Sequence, residues 1–328
     1  MTEAAPGYPL RMTVTSSAIE PTPLADALAQ ALSTGEEIEL AHLWGQGDGG
    51  PRDRLQSLLH IYELHTAPIE DVGEAVRWQH HPTIGTIKST CEEAWLVELE
   101  KTPVPADLPD DLVPALRTVS ARNRKPAVYT WLAKDATPEQ VREFLRWEGG
   151  PDAGFDDLVA ACQIGLAGSA KMELATNYWD EMGNGDPAAV HTTLHDELAA
   201  VLELERIPWS EQPVSALARA ALGGMLATNR WLQPEMLGAL GLIELEAGPR
   251  CRLVLQALQR VGAPAAALPF YEVHADVDPR HGKDWLEKAL APIIEEHPDW
   301  TPRILRGALW REATNNAFLA DVHDLLTR

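Results

Sequence analysis

Residues 171–194 read KMELATNYWDEMGNGDPAAVHTTL, and this stretch predicts two helices joined by a corner. Leu174, Tyr178 and Glu181 recur at helical spacing. The glycines that follow them can end a helix, because glycine tolerates the left-handed backbone of many helix C-termini. Asp186 then has the character of an N-cap, and the proline after it is suited to a first helical position. The stretch therefore predicts a helix, a corner and a second helix.

Glu181 and His191 lie on opposite sides of this predicted corner. Ten residues along one straight helix would separate them by about 15 Å. Across a corner, the two side chains can face the same point. A carboxylate and an imidazole that converge in this way are suitable ligands for iron, manganese or zinc.

A second polar segment, residues 271–285, reads YEVHADVDPRHGKDW. His274, Asp278 and His281 recur there at positions i, i+4 and i+7, so on a helix they share one face. Helix capping would explain Asp278, which precedes a proline. Capping does not explain two histidines that flank it at helical spacing.

Together these segments resemble the haem-oxygenase-like di-metal oxidases and oxygenases, often called iron-containing redox enzymes. That family pairs a Glu-x9-His corner with a later His-x3-Asp-x2-His segment, and both spacings occur here in the same order. The resemblance covers roughly the last 200 residues of the chain. It implies two iron ions as cofactors, with manganese as an alternative, and O2 as a cosubstrate.

The resemblance also implies a set of six ligands, which needs one more carboxylate from an earlier helix. Glu148, near the end of a predicted helix, is the candidate. The competing carboxylates are Asp152, Asp156 and Glu173. The division that the resemblance implies is a first site of Glu181, His191 and His274 and a second site of Glu148, Asp278 and His281, with Glu181 as a candidate bridge.

Several other residues near these segments have ordinary structural interpretations. His195 follows His191 by one helical turn, and it is interpreted as an alternative ligand, as a group that orients a ligand, or as a solvated or structural histidine. His80 and His81 precede a proline, which favours a helix end where they complement the helix dipole. The tryptophans nearest the proposed ligands, which we expect to pack around the site, are Trp147, Trp179 and Trp285.

Composition narrows the class of protein. The net charge of −22 over 328 residues argues against nucleic acid and anionic membrane surfaces as partners. No apolar run approaches the length of about 18 residues that suggests a membrane span. The three cysteines form no CxxC motif, which fits a reducing cytoplasm. Residues 1–20 read as a disordered tail and not as a signal peptide.

The apolar residues follow helical spacing almost throughout, so we expect an all-α fold. The resemblance specifies it as a haem-oxygenase-like helical bundle with an N-terminal helical extension. The predicted division is a helical region over residues 21–108, a proline-rich boundary, and the catalytic domain over residues 109–328. Within that domain, Gly248 and Pro249 predict a break between helices over residues 234–246 and 250–261.

These features predict a non-haem di-iron oxidase or oxygenase of natural-product metabolism. Its substrate would be a small molecule, an amine or amino acid, oxidised by N-oxygenation, desaturation, or C–H or C–C oxidation. The alternatives are a haem-oxygenase-fold protein without a di-metal site, either haem-degrading or cofactorless, and a non-catalytic helical binding module. The sequence leaves a homodimer open.

Overall fold

The structure, a computed structural model, describes residues 22–34, 49–123, 125–149 and 154–328, without the side chains of residues 277–279. Its regular elements in these ranges are all helices, which confirms the all-α prediction. The predicted tail, residues 1–20, lies outside the described residues. No helix in the described ranges is both long enough and apolar enough to cross a membrane.

The N-terminal half is built from short and medium helices joined by tight turns. A 3-10 helix, Gly73–His80, separates α3 from α4. His81 caps α4 by accepting from the backbone N–H of Thr83. The helices are α1 (Pro23–Thr34), α2 (Gly50–Thr66), α3 (Ile69–Val72), α4 (Pro82–Leu99), α5 (Leu112–Asn123), α6 (Ala127–Lys134), α7 (Pro138–Glu148) and α8 (Phe155–Cys162).

The C-terminal half contains the longest helices. A π-helical turn, Trp285–Leu290, connects α13 directly to α14. The helices are α9 (Gly168–Glu181), α10 (His191–Val201), α11 (Val214–Thr228), α12 (Gln233–Val261), α13 (Pro269–Asp284), α14 (Ala291–Glu296) and α15 (Thr301–Thr327). Helix α12 packs along both α13 and α15, so it forms the centre of this half.

The predicted break at Gly248 and Pro249 was wrong, because α12 continues through both residues. Proline has no N–H to donate to the carbonyl four residues earlier. Here that carbonyl belongs to Leu245, and the Ser120 hydroxyl of α5 lies 3.5 Å from its oxygen. Packing against α5, α13 and α15 holds the helix together where the local sequence favours an interruption.

Two hydrophobic clusters make up the interior. The larger joins the N-terminal helices to α9, α11, α12 and α15, so it crosses the predicted boundary at residue 108. The smaller is formed by α6, α7, α10, the second half of α12, α13 and the end of α15. A buried carboxylate fixes the crossing of α12 with α15: Glu235 is fully buried and pairs with Arg303 and Arg306. The domain boundary itself stays a prediction.

Candidate metal centre

The corner predicted between α9 and α10 brings Glu181 and His191 together. Gly183 sits at φ +60°, and a Cβ there would lie 2.5 Å from the carbonyl carbon of Ala189, so only glycine fits the turn. Asp186 caps the next turn by accepting from the N–H of Ala188, at 3.0 Å. That turn is a 3-10 helix, and α10 itself begins at His191.

Glu181 and His191 are both buried, and Glu181 Oε2 lies 2.7 Å from His191 Nδ1. This nitrogen has no partner with hydrogen-bond geometry in the described part of the chain. This oxygen and nitrogen lie close together without the alignment of a hydrogen bond, as two ligand atoms of one metal ion would. Metal–N and metal–O bonds of about 2.0–2.2 Å would place neighbouring ligand atoms about 3.0–3.4 Å apart, so an ion would need this pair to separate slightly.

His274 of α13 completes the first group. Its ring lies 4.4 Å from that of His191, measured between centroids. His274 Nδ1 lies 2.6 Å from the carbonyl oxygen of Phe270, which can only accept, so Nδ1 carries the proton. Nε2 is then left with a lone pair. Burial, reinforced by His191, lowers the pKa of His274 to about 4, so the imidazole is neutral at physiological pH. A neutral imidazole is the form that binds a metal.

A second group shares Glu181 with the first. One ligand atom each from Glu181, Glu244 and His281 lie within 4.8 Å of one another, as do those of Glu181, His191 and His274. The second group is buried throughout. Glu181 therefore stands between two potential metal positions, as expected for a bridging carboxylate.

Glu244 is held in place by α9, because Asn177 Nδ2 donates to its Oε1 at 2.8 Å. Burial, reinforced by the charge of the neighbouring Glu181, raises the pKa of Glu244 to about 8. Two carboxylates so close together repel each other when both are ionised. A cation between them would relieve that repulsion, so this donor set fits a metal.

His281 is oriented by Asp180, whose Oδ2 lies 2.8 Å from its Nε2. Because a carboxylate only accepts, Nε2 is the protonated nitrogen, and Nδ1 faces Glu244 Oε2 at 3.7 Å. Burial opposes the ionisation of Asp180, but the hydrogen bonds from His281 and Asn184 outweigh it and lower its pKa. Arg280 also pairs with this carboxylate, at 2.6 Å.

Glu148 lies in neither group. One of its oxygens accepts a hydrogen bond from the Tyr129 hydroxyl and the other from the Tyr271 hydroxyl, the latter at 3.0 Å. It does line the same cavity as Glu181, Glu244 and His274. The side chain of Asp278 lies outside the described residues. The roles predicted for Glu148 and Asp278 as ligands therefore stay predictions.

The competitors of Glu148 are placed differently. Asp156 of α8 lines the cavity, and its buried Oδ1 has no hydrogen bond to the described residues. Burial raises the pKa of Asp156, and the charges of Asp157 and Glu181 raise it further. Glu173 lies near the protein surface, 3.7 Å from the Lys288 ammonium. Asp152 lies outside the described residues.

A cavity of about 210 Å³ adjoins the two groups. Its wall includes Phe155, Ile243 and Phe270, so much of it is apolar. His195 also lines it, with its ring packed on Phe270, and burial lowers the pKa of His195. The tryptophans predicted to pack around the site differ in their burial. Trp285 is buried and donates to the carbonyl of Leu237, whereas Trp179 is 53% exposed.

Glu244 is the site residue that the motif spacing did not indicate. A signal for it exists in the sequence, since Glu244 interrupts the apolar run MLGALGLIELEAG of α12. A charged residue within the apolar face of a helix is buried only when it has a partner. Which partner it has depends on how α9 and α13 pack against α12, and that information lies in tertiary structure.

Comparison with known proteins agrees with this geometry. The sequence matches a family model described as iron-containing redox enzyme over residues 142–315, just over half of the chain. A nitrosourea synthase from Streptomyces achromogenes subsp. streptozoticus is 28% identical over 148 residues. The match covers 44% of this chain and 31% of that enzyme, so the chain spans about a third of its relative's length.

Proposed function

Because this chain belongs to the iron-containing redox enzymes, an oxidoreductase family with a haem-oxygenase-like all-α fold, we propose that it is a non-haem di-iron oxidase or oxygenase. It uses O2 to oxidise a small nitrogen-containing substrate, an amine or amino acid, in natural-product metabolism. The family itself supports iron and oxidoreduction. The second metal, the use of O2 and the substrate are the proposal.

The observation that carries the proposal is the pair of ligand groups that share Glu181. One metal ion would use only one of these two ligand groups, so the presence of both indicates two ions. Imidazole with carboxylate oxygen suits iron or manganese, and two adjacent groups place two such ions close together. Iron bound there supplies electrons and open coordination positions for O2.

Neighbouring residues hold the ligand side chains in the tautomer and orientation that metal binding requires. The Phe270 carbonyl holds the proton of His274 on Nδ1, and Asp180 holds that of His281 on Nε2. Asn177 fixes Glu244. Such outer contacts set the tautomer and direction of each ligand, and their loss commonly weakens metal binding by about 10- to 100-fold.

Two carboxylates compete for the remaining ligand position. Both oxygens of Glu148 accept hydrogen bonds from tyrosine hydroxyls, whereas a buried oxygen of Asp156 accepts none from the described residues. The hydrogen-bond contacts favour Asp156 as the remaining ligand, and the family resemblance favours Glu148. Metal analysis of Asp156→Asn and Glu148→Gln distinguishes them, since loss of the true ligand lowers the metal content. Asp278 is proposed as a ligand of the second metal on the resemblance.

The name of the relative supports a nitrogen-containing substrate, because a nitrosourea is a nitrogen compound. The cavity supports a small one. Its volume is about 210 Å³.

Metal analysis after anaerobic reconstitution with Fe(II) tests the proposal. We expect about two iron ions per chain, and O2 consumption only in the reconstituted protein. Glu181→Ala removes the shared ligand, so it should lower the content of both ions while circular dichroism shows a largely helical fold.

Glu173→Gln is the matched control, because Glu173 lies on the same helix and points to Lys288. It should retain both ions. Wild-type protein that binds no iron, or one tightly held zinc ion, would refute the di-iron centre.

A further inference from the structure

The cavity has a second polar region, formed by two arginines. Arg250 of α12 and Arg311 of α15 both line it, although each side chain belongs to a residue that is only 7% exposed. The tyrosines that hold Glu148, Tyr129 and Tyr271, line it as well. None of these residues belongs to the two ligand groups.

Helix α12 sets the distance between the two regions. Glu244 belongs to the second ligand group, and Arg250 lies six residues later on the wall of the same cavity. Six residues of α-helix rise by about 9 Å. Ala247, midway between them, also lines the cavity and leaves its centre open. The cavity thus extends from the ligand groups to the arginines along one helix.

Helix α13 packs alongside α12 and runs in the opposite direction. Gly282 lies against the carbonyl of Glu244, and Arg252 donates to the carbonyl of Ala275, at 2.6 Å. The two helices are therefore antiparallel. His281 lies beside Glu244, and Tyr271, earlier on α13, lies towards Arg250.

Arg250 is only partly satisfied by protein groups. One of its terminal nitrogens lies 2.5 Å from Glu246 and 3.2 Å from the carbonyl oxygen of Asn123. Its Nε is buried and makes no hydrogen bond to the described residues. Arg250 and Arg311 both interact electrostatically with Glu246, and Arg250 also interacts with Glu312. A guanidinium presents five donors in a planar fork that matches a carboxylate.

We propose that Arg250 and Arg311 bind a carboxylate group of the substrate, which is a small carboxylate-bearing molecule oxidised several bonds away from that group. The inference rests on the proposed function, since it assumes that the substrate is oxidised at the end of the cavity where the two ligand groups lie. The helical rise of about 9 Å separates the anchored carboxylate from the reacting atom. Phe155, Ile243 and Phe270 line the same cavity and provide apolar surface for the carbon chain.

The test is a binding titration with matched compounds. The protein is loaded with Mn(II) under anaerobic conditions, which prevent turnover, and its melting temperature is measured with each compound. The probes are L-leucine, L-lysine and L-phenylalanine, each with its decarboxylated amine and its deaminated acid. We expect compounds that retain the carboxylate, in at least one of the three sets, to raise the melting temperature and the matching amines to leave it unchanged.

Arg250→Gln and Arg311→Gln should each weaken binding of the carboxylate compounds at least about tenfold, because a charge-assisted pair is lost. The bound Mn(II) should be unchanged. Arg250→Lys keeps the charge without the fork and preserves the partner of Glu246, so it reports on binding if Arg250→Gln does not fold. Arg260→Gln, on the same helix but bonded to carbonyls of residues 132, 133 and 136, is the control and should bind like the wild type.

Three results overturn the inference: amines that bind as well as their parent acids, folded arginine variants that bind like the wild type, or a panel in which no carboxylate compound binds. The Mn(II) content measured in the same samples separates this failure from failure of the proposed function. Protein that binds no metal refutes the di-metal centre, while carboxylate binding to the metal-free protein is still measured.

Discussion

Asn177 and Asp180 share helix α9 with Glu181, yet each acts on a ligand from another helix. Asn177 donates to Glu244 of α12, and Asp180 accepts from His281 of α13. Both are hydrogen-bonding residues whose own atoms lie outside the two ligand groups. One turn of α9 therefore supplies a shared ligand and the positioning contacts for two more.

At this scale we expect Asn177→Ala to weaken metal binding without removing a ligand. Glu244 would lose the 2.8 Å hydrogen bond from the Asn177 amide, so its side chain would turn more freely. Outer contacts of this kind are worth about tenfold or more in affinity. Mn(II) titration calorimetry measures the change. Thr176→Ala is the control, since that exposed hydroxyl donates to the Met172 carbonyl of its own helix. Equal Mn(II) affinity in the Asn177 variant and the control would contradict the positioning role.

At the scale of elements, the site depends on how closely α12 and α13 approach. Gly282 is the contact point: a Cβ there would lie 2.9 Å from the carbonyl oxygen of Glu244 and 3.0 Å from the Cα of Leu245. These are backbone atoms, so they cannot move aside as a flexible side chain would. The residue next to Gly282 is His281, and its partner in the ligand group is Glu244.

Gly282→Ala should therefore push the two helices apart. We expect a loss of about 1–3 kcal/mol in the free energy of unfolding, as for other overpacked interiors. Mn(II) affinity should fall with it, because Glu244 and His281 separate. Chemical denaturation and calorimetry measure the two effects.

Gly85→Ala in α4 is the matched helical control, since a Cβ there meets nothing within 4 Å. It should be neutral or stabilising by up to about 1 kcal/mol. If Gly282→Ala were as stable as this control, α12 and α13 would have enough space for a methyl group at their contact, which would contradict the prediction.

At the scale of the whole molecule, the two hydrophobic clusters hold a set of acidic groups in the interior. Burial raises the pKa of Glu244 to about 8 and that of Glu246 to about 7, against an ordinary value of about 4.5 for glutamate. Between about pH 5 and 7, the folded metal-free protein therefore retains protons that the unfolded chain has released. Stability falls with rising pH wherever the folded state binds more protons.

Below about pH 6.5 the lowered pKa values of His274 and His195 act in the opposite direction, because the unfolded chain then binds protons that these folded imidazoles do not. We therefore expect the metal-free protein to lose stability as the pH rises from about 6.5 to 8, by at most about 1.4 kcal/mol per pH unit for each such glutamate. Glu244→Gln removes one of these groups and should flatten the dependence. Mn(II) should reverse it, because metal binding favours the ionised carboxylate. Urea unfolding at several pH values measures the slopes. Stability of the metal-free protein that rises steadily over this range would contradict the prediction.

The sequence by itself determined the helical class, the corner around Gly183 and the spacing of Glu181, His191, His274 and His281. These follow from local rules: helical periodicity, capping by Asp186 and the backbone freedom of glycine. The break predicted at Pro249 failed for the opposite reason, since contacts from α5, α13 and α15 outweigh a local preference. Only the tertiary structure decided that Glu244 joins the ligands, that both oxygens of Glu148 meet tyrosines, and that Arg250 and Arg311 share the cavity. Each of these depends on side chains from helices far apart in sequence, and packing brings them together without any pattern of spacing.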